Sequence, residues 1–253
     1  MEWFCKFDQF GNRHKQYYED KILFKQSTKL LAFLFIILSS IVMSNAQENK
    51  PSIKYNLFSV DGLVISDIIN IDAKFAQEHN IPILTPFTIK VPRQKDVTSL
   101  FEYGTAPNSM IIKINFATGG KNLPNEEREL IENLQFIPFD IEMTDDEDRL
   151  KRLTNLMPID AFNMATQAYE QKEFIGARRT VINGIDVIDG VGKYTHPQLG
   201  LVYVRITGFL NKDDVNGVFA MSNLVANKYD ITNLEQIFLT NAGKTIESFE
   251  YLK

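Results

Sequence analysis

The sequence predicts an α+β protein: a mainly antiparallel twisted sheet with helices packed on one face, after a cleaved N-terminal signal segment. Three observations carry this. Apolar residues alternate with period two in several segments, most clearly residues 87–91 and 200–210. A helix-patterned stretch, residues 125–169, lies between two groups of such segments. The strands follow one another across short turns, which implies antiparallel pairing with the helices on one face.

The export signal comes first. Lys25 and Lys29 precede the apolar run 30–38, then Ser39-Ser40 and Ile41-Val42-Met43. Ser44-Asn45-Ala46 places small residues where a signal peptidase reads, ahead of the polar Gln47-Glu48-Asn49-Lys50. Residues 30–43 are too short, and too interrupted by serine, for the ~20 apolar residues of a bilayer span. Residues 25–46 therefore read as a signal peptide cleaved after Ala46, giving a periplasmic or secreted protein with no stable membrane span. Residues 1–24 are polar and aromatic, a non-native or disordered extension; translation starting near Leu23 explains them better than an unusually long leader. Cleavage leaves 207 of the 253 residues, enough for one domain with a sizeable core.

Six of the 27 basic residues and four of the 32 acidic ones precede Gln47, which leaves 21 against 28 and a formal charge of −7. An acidic chain without a basic run argues against nucleic acid as a partner. The single cysteine, Cys5, lies ahead of the cleavage point, so no disulfide or lipidated cysteine is expected.

In the mature chain, residues 47–84 form an N-terminal extended or hairpin segment, and residues 85–253 the α+β domain. Loose alternation over residues 54–71 around Asp61-Gly62 suggests a hairpin. Residues 75–79 suggest a helical turn. Phe87-Thr-Ile-Lys-Val91 is a strand stopped by Pro92, residues 104–108 a turn, and residues 110–117 a strand with Ile112, Ile114 and Phe116 on one face. Asn125-Glu126-Glu127 opens a predicted helix whose stripe is Leu130, Ile131 and Leu134, ended by Pro138. Thr144 and Glu147 have capping-box spacing ahead of Leu150, Leu153 and Leu156. Pro158 starts a new helix with Phe162, Ala165 and Tyr169 at helical spacing. Asn183-Gly184 joins strands 179–182 and 185–194, because both residues tolerate positive φ. Residues 200–210 form a strand with Val202, Val204 and Ile206 buried against helices, and Tyr203, Arg205 and Thr207 facing outward. Residues 211–214 turn into a strand at 215–226. Asp230 or Thr232 caps a closing helix carrying Leu234, Ile237 and Phe238, with Ile246 and Phe249 beyond Gly243.

The order of these elements, with Phe87–Pro92 as "Phe-x-Ile-x-Val-Pro", Ile182-Asn183-Gly184 and the closing Thr245-Ile-Glu-Ser-Phe249, resembles the PsbP-like domains, including the DcrB-type periplasmic proteins. The resemblance spans residues 85–252. It implies a binding or accessory module without a shared catalytic site, so it carries no functional residue across.

The chemistries are few. Gly243-Lys244-Thr245 and Gly119-Gly120-Lys121 are fragments of a phosphate-binding loop, but the required earlier glycine is replaced by Phe238 and Asn115. His79 and His196 are the only mature histidines and stand far apart, so no metal and no cofactor is expected. Asp145-Asp-Glu-Asp148 lacks the alternation and glycine of a calcium loop. No Gly-x-Ser-x-Gly elbow is present. Asp186 and Asp189 share one hairpin, and Arg178-Arg179 enter a strand pointing to opposite faces. The expected function is a non-enzymatic accessory or binding protein of the bacterial cell envelope, engaging a protein or a small apolar ligand. The alternatives are a small carboxylate-based secreted hydrolase and a periplasmic immunity protein. Candidate partner-binding residues are Tyr203, Arg205, Thr207, Tyr194 and Tyr229, since Tyr and Arg dominate binding hot spots.

Overall fold

Two antiparallel sheets organise the chain in the computed structural model, which describes residues 54–81, 85–104, 110–119, 123–124, 127–141, 145–212 and 214–252, all within the unit Met43–Lys253. The small sheet runs β1-β2-β10, from β1 (Ser66–Ile71), β2 (Phe87–Pro92) and β10 (Glu250–Tyr251). The large sheet contains β3 (Val97–Tyr103), β4 (Ile112–Thr118), β5 (Leu130–Asp140), β6 (Lys172–Ile182), β7 (Ile185–His196), β8 (Gly200–Leu210) and β9 (Asn216–Val225). Its order is β3-β4-β5-β9-β8-β7-β6. The α+β class and the antiparallel pairing expected from the sequence are what is found. The signal segment and the extension before it lie outside the described residues, as do Asn125, Glu126, Thr144 and residues 105–109. No helix of the described residues is long and apolar enough to cross a membrane.

Local chemistry sets the strongest elements. Asn183 and Gly184 take φ of 49° and 79°, both in the left-handed region, and close the β6–β7 hairpin as a two-residue turn. Asp72 caps α1 (Ala73–His79), its carboxylate accepting from the N–H groups of Lys74 and Phe75 at 3.0 Å. Alternation in β2 buries Phe87, Ile89 and Val91.

Both faces of the large sheet are covered. On one, Val202, Val204 and Ile206 are buried as expected, beneath α2 (Asp146–Leu156) and the π-helical turn Met157–Phe162, which leads into α3 (Asn163–Ala165). Glycines in the floor allow this approach: a Cβ at Gly192 would sit 2.2 Å from the Phe162 ring, and one at Gly208 2.6 Å from Leu153. On the other face, Ile114, Phe116, Leu134, Phe136, Phe209 and Ala220 join Phe87, Ile89, Ile246 and Phe249 in one core, closing the small sheet and α4 (Asn241–Glu247) onto the large one. Phe249 stacks on Phe209 at 4.0 Å and on Phe87 at 4.9 Å.

Several expectations are corrected. No hairpin forms around Asp61-Gly62. Tyr55 N–H donates to the Lys228 carbonyl and Phe58 N–H to the Leu239 carbonyl, so this backbone binds the C-terminal region, and β1 begins only at Ser66. The helix drawn through Leu130, Ile131 and Leu134 is β5. A spacing of four is shared by a helix face and a strand face, and a strand buried on both sides shows no alternation to separate them. Pro138 is tolerated in β5 because Ile111 N–H donates to the Phe136 carbonyl, so the even-numbered amides face β4, and β4 stops pairing at Ile112. At the start of α2 Asp145 Oδ1 accepts from Glu147 N–H at 2.7 Å, while the Thr144 of the expected capping box lies outside the described residues. Pro158 does not restart the helix: α2 runs into α3 through the π turn. Neither Asp230 nor Thr232 caps the closing helices. Asn233 forms a capping box with Gln236 at the 3₁₀ helix Leu234–Leu239, and Thr240 caps α4. β3 is a further strand, at the edge of the large sheet.

Candidate functional site

The five residues singled out for partner binding occupy three environments. Tyr203, Arg205 and Thr207 share the face covered by α4 and the 3₁₀ helix, and there the outward-facing assignment fails. Arg205 is 1% exposed, Thr207 is fully buried, and only Tyr203 stays half-buried. The reason is the second covering layer, which turns a predicted solvent face into an interior. Tyr194 lies on the opposite face, buried and stacked on Tyr169 at 4.2 Å, with burial raising its phenol pKa. Tyr229 is buried beyond β9, and burial together with Glu132 raises its pKa well above the usual phenol value.

Arg205 and Thr207 belong to a buried charged network. Arg205 Nε donates to Asp189 Oδ1 at 2.8 Å and Nη2 to Oδ2 at 3.3 Å; Thr207 Oγ1 donates to the same Oδ1 at 2.7 Å. Arg205 Nη2 also reaches Glu247 Oε1 at 2.6 Å, tying β8 to α4. Asp189 pairs with Thr207 across the β7–β8 ladder, which sets the geometry. The guanidinium of Arg205 lies 4.2 Å from the Phe238 ring centroid, and that of Arg178 lies 4.8 Å from it. Arg178 extends outward to Glu235 at 3.4 Å. The opposite-face reading of the arginine pair holds, since Arg179 bonds Glu147 and Asp186 instead. The same alternation parts Asp186 from Asp189, so the two acids form no catalytic pair.

A second buried carboxyl lies across the same face. Glu132 Oε1 accepts from Tyr229 Oη at 2.8 Å and from Asn241 N–H at 2.9 Å, joining β5 to the start of α4. Burial raises its pKa, and the hydrogen bonds from Tyr229, Thr240 and Asn241 oppose that shift only in part. Partners 97 residues apart leave no local sequence signal.

Above these groups lies a mixed surface. Leu57, Val191, Tyr203, Ile231 and Leu234 are half-buried and pack on the cluster of Tyr55, Ile131, Leu224, Tyr229 and Ile237. Ion pairs stand beside them: Lys193–Glu173, with Lys193 opposite Tyr203 in the ladder; Arg178–Glu235, next to Leu234; and Lys54–Asp230, next to Ile231. Only Tyr203 of the five predicted contact residues reaches this surface. Tyr229, Arg205 and Thr207 lie in its support.

The two histidines among the described residues stay apart in different contacts. The His79 ring lies 3.9 Å from that of Tyr103, tilted by 31°, and His196 Nδ1 accepts from the N–H groups of Gln198 and Leu199 in a turn. Burial lowers the pKa of His196. Among the described residues no group of three His, Cys, Asp or Glu side chains could hold a metal ion. Gly243 lies inside α4, where a Cβ would fall 2.3 Å from the Ile237 carbonyl, so it serves close packing of the two C-terminal helices.

No family model matches the chain, and no curated protein matches it. Among solved structures the chain is similar to the Ran-binding protein Mog1p of Saccharomyces cerevisiae, at 10% identity over 74% of this chain and 96% of that one, with a TM-score of 0.40. LpqN, involved in cell envelope biogenesis of Mycobacterium tuberculosis, shares 13% identity over 74% and 92%, with a TM-score of 0.43. The cyanobacterial PsbP of Synechocystis sp. PCC 6803 shares 14% over 77% and 98%, with a TM-score of 0.42.

Proposed function

We propose that this chain is an exported, non-catalytic accessory or binding protein of the bacterial cell envelope, and that it engages a protein partner through the surface around Tyr203. The observation that carries the reading is the arrangement of that surface: a half-buried apolar centre (Leu57, Val191, Tyr203, Ile231, Leu234) beside a rim of exposed ion pairs. Protein interfaces have this anatomy, with apolar and aromatic groups at the centre and charge at the edge. Tyr203 is the natural anchor, since a tyrosine adds large contact area at little entropic cost. Its strand is held from below by the Arg205–Asp189–Glu247 links. Half-exposed side chains suit a protein surface better than a small apolar ligand, which needs most of its own area enclosed. Export rests on the signal pattern of residues 25–46.

The test is affinity capture from an envelope extract of the native host, comparing wild type with Tyr203→Ala, Leu234→Glu and the control Lys151→Glu on the exposed side of α2. The reading expects a discrete partner that both surface variants lose about tenfold or more and the control keeps. Equal recovery with all three variants would remove the surface from consideration. Turnover of an envelope polymer by the purified protein would overturn the non-catalytic reading in favour of the hydrolase.

A further inference from the structure

The second surface with a readable chemistry is the outer edge of the small sheet. β1 is an edge strand, paired only with β2 among the described residues. Arg93 N–H donates to the Ile65 carbonyl at 2.7 Å, which makes 65 and 93 a hydrogen-bonded pair. Antiparallel ladders alternate, so the amides of Asp67, Ile69 and Ile71 also face β2. Those of Ser66, Ile68 and Asn70 point away from the sheet. The far side of β2 confirms the parity: Lys90 N–H donates to Ser248 Oγ, and Leu252 N–H to the Pro86 carbonyl. Beside this open edge stand apolar side chains in solvent: Leu63 is 98% exposed, Ile65 68% and Ile68 66%.

Natural sheets blunt such edges with charge, proline, a bulge or brevity. β6, an edge of the large sheet, has a register break at Gly176 and carries Lys172, Arg178 and Arg179; β10 is two residues long. β1, Ser-Asp-Ile-Ile-Asn-Ile, has none of these beyond Asp67, whose carboxylate is engaged by Arg93.

We propose that β1 pairs antiparallel with β1 of a second copy of this chain, about a two-fold axis at Ile68, joining the two small sheets into one. The strand is self-complementary in that register. Ser66, Ile68 and Asn70, whose amides are open, meet Asn70, Ile68 and Ser66 of the second copy, so every outward group finds an outward group. Asp67 faces Ile69 of the copy, and no like charges stand opposite each other. Ile71 is buried in its own core, and the two exposed Ile68 side chains meet across the axis. This surface is separate from the one around Tyr203, so either can fail alone.

Sedimentation of the purified protein, in a Cys5→Ser background that leaves the chain without thiols, is expected to give twice the chain mass. Ile68→Lys and Ile68→Pro should weaken the association about tenfold or more while leaving the thermal midpoint of the monomer unchanged, since the Ile68 amide points away from β2 and serves no bond among the described residues. Ile68→Cys should form a disulfide-linked dimer on mild oxidation, because a hydrogen-bonded pair sets Cα atoms ~5.5 Å apart, inside the range a disulfide spans. Asn70→Cys, which would face Ser66, should not. A protein that stays monomeric at high concentration overturns the proposal. So does a dimer indifferent to both Ile68 substitutions, or Asn70→Cys crosslinking as readily as Ile68→Cys.

Discussion

Replacing Asp189 by Asn would test whether the charged network is as dehydrated as its geometry implies. The Asp189 and Arg205 side chains are each 1% exposed, so neither charge has water to fall back on. Removing the carboxylate charge leaves Arg205 with Glu247, whose side chain is 41% exposed and whose attraction solvent screens. Breaking a buried pair on one side costs about 3–5 kcal/mol. For a domain of this size that is a fall in Tm of roughly 6–20 °C. Removing the pair as a unit should cost far less, because well-packed apolar groups often replace a buried ion pair at little net loss. Asp189→Leu with Arg205→Met still strands the Thr207 hydroxyl, at about 1–3 kcal/mol, so Thr207→Val belongs in the same variant. Urea denaturation of the single, double and triple variants measures these terms. A loss below about 1 kcal/mol for Asp189→Asn would refute a dehydrated pair. A triple variant as unstable as the sum of its single changes would refute the coupling.

Three further outcomes are expected. Glu132 has a raised pKa in the folded state, so its contribution to stability is full below the unfolded value near 4.3 and falls as pH rises through the folded value. Glu132→Gln should therefore lose less stability than wild type between those two pH values, and parallel stability–pH curves would contradict this. Val204→Asp and Thr207→Asp should both cost several kcal/mol in urea denaturation, since both positions are buried and Thr207→Asp sets a second carboxylate against Asp189; tolerance of Thr207→Asp would restore the outward assignment. N-terminal sequencing of exported material should begin at Gln47, and a chain retaining residues 30–43 would contradict the signal reading.

What the sequence revealed follows from where its signals are local. Asn183-Gly184, the alternation of Phe87–Val91 and the stripe Val202, Val204 and Ile206 each state their own structure within a few residues, and each is found. The failures arise where tertiary burial overrides local pattern. β5 is buried on both faces, so Glu132, Asn133 and Gln135 sit inside among apolar neighbours, and its i, i+4 leucines imitate a helix. Arg205 and Thr207 look like a solvent face because a charged residue on an alternating strand usually is one. Their burial depends on Asp189, and counting back through the turn at Pro197-Gln198-Leu199 would have aligned Asp189 with Thr207. Tyr229 with Glu132, and the apolar residues gathered around Tyr203, come from distant parts of the chain and leave no such arithmetic.

Site-specific photocrosslinking in the native envelope addresses the central claim, that the surface around Tyr203 holds a protein partner. A photoreactive residue is placed in turn at Tyr203, at Leu234, and at Lys151 on α2. One discrete crosslinked protein is expected from positions 203 and 234, and none from position 151. Adducts absent from both surface positions, or equally abundant at position 151, would contradict it.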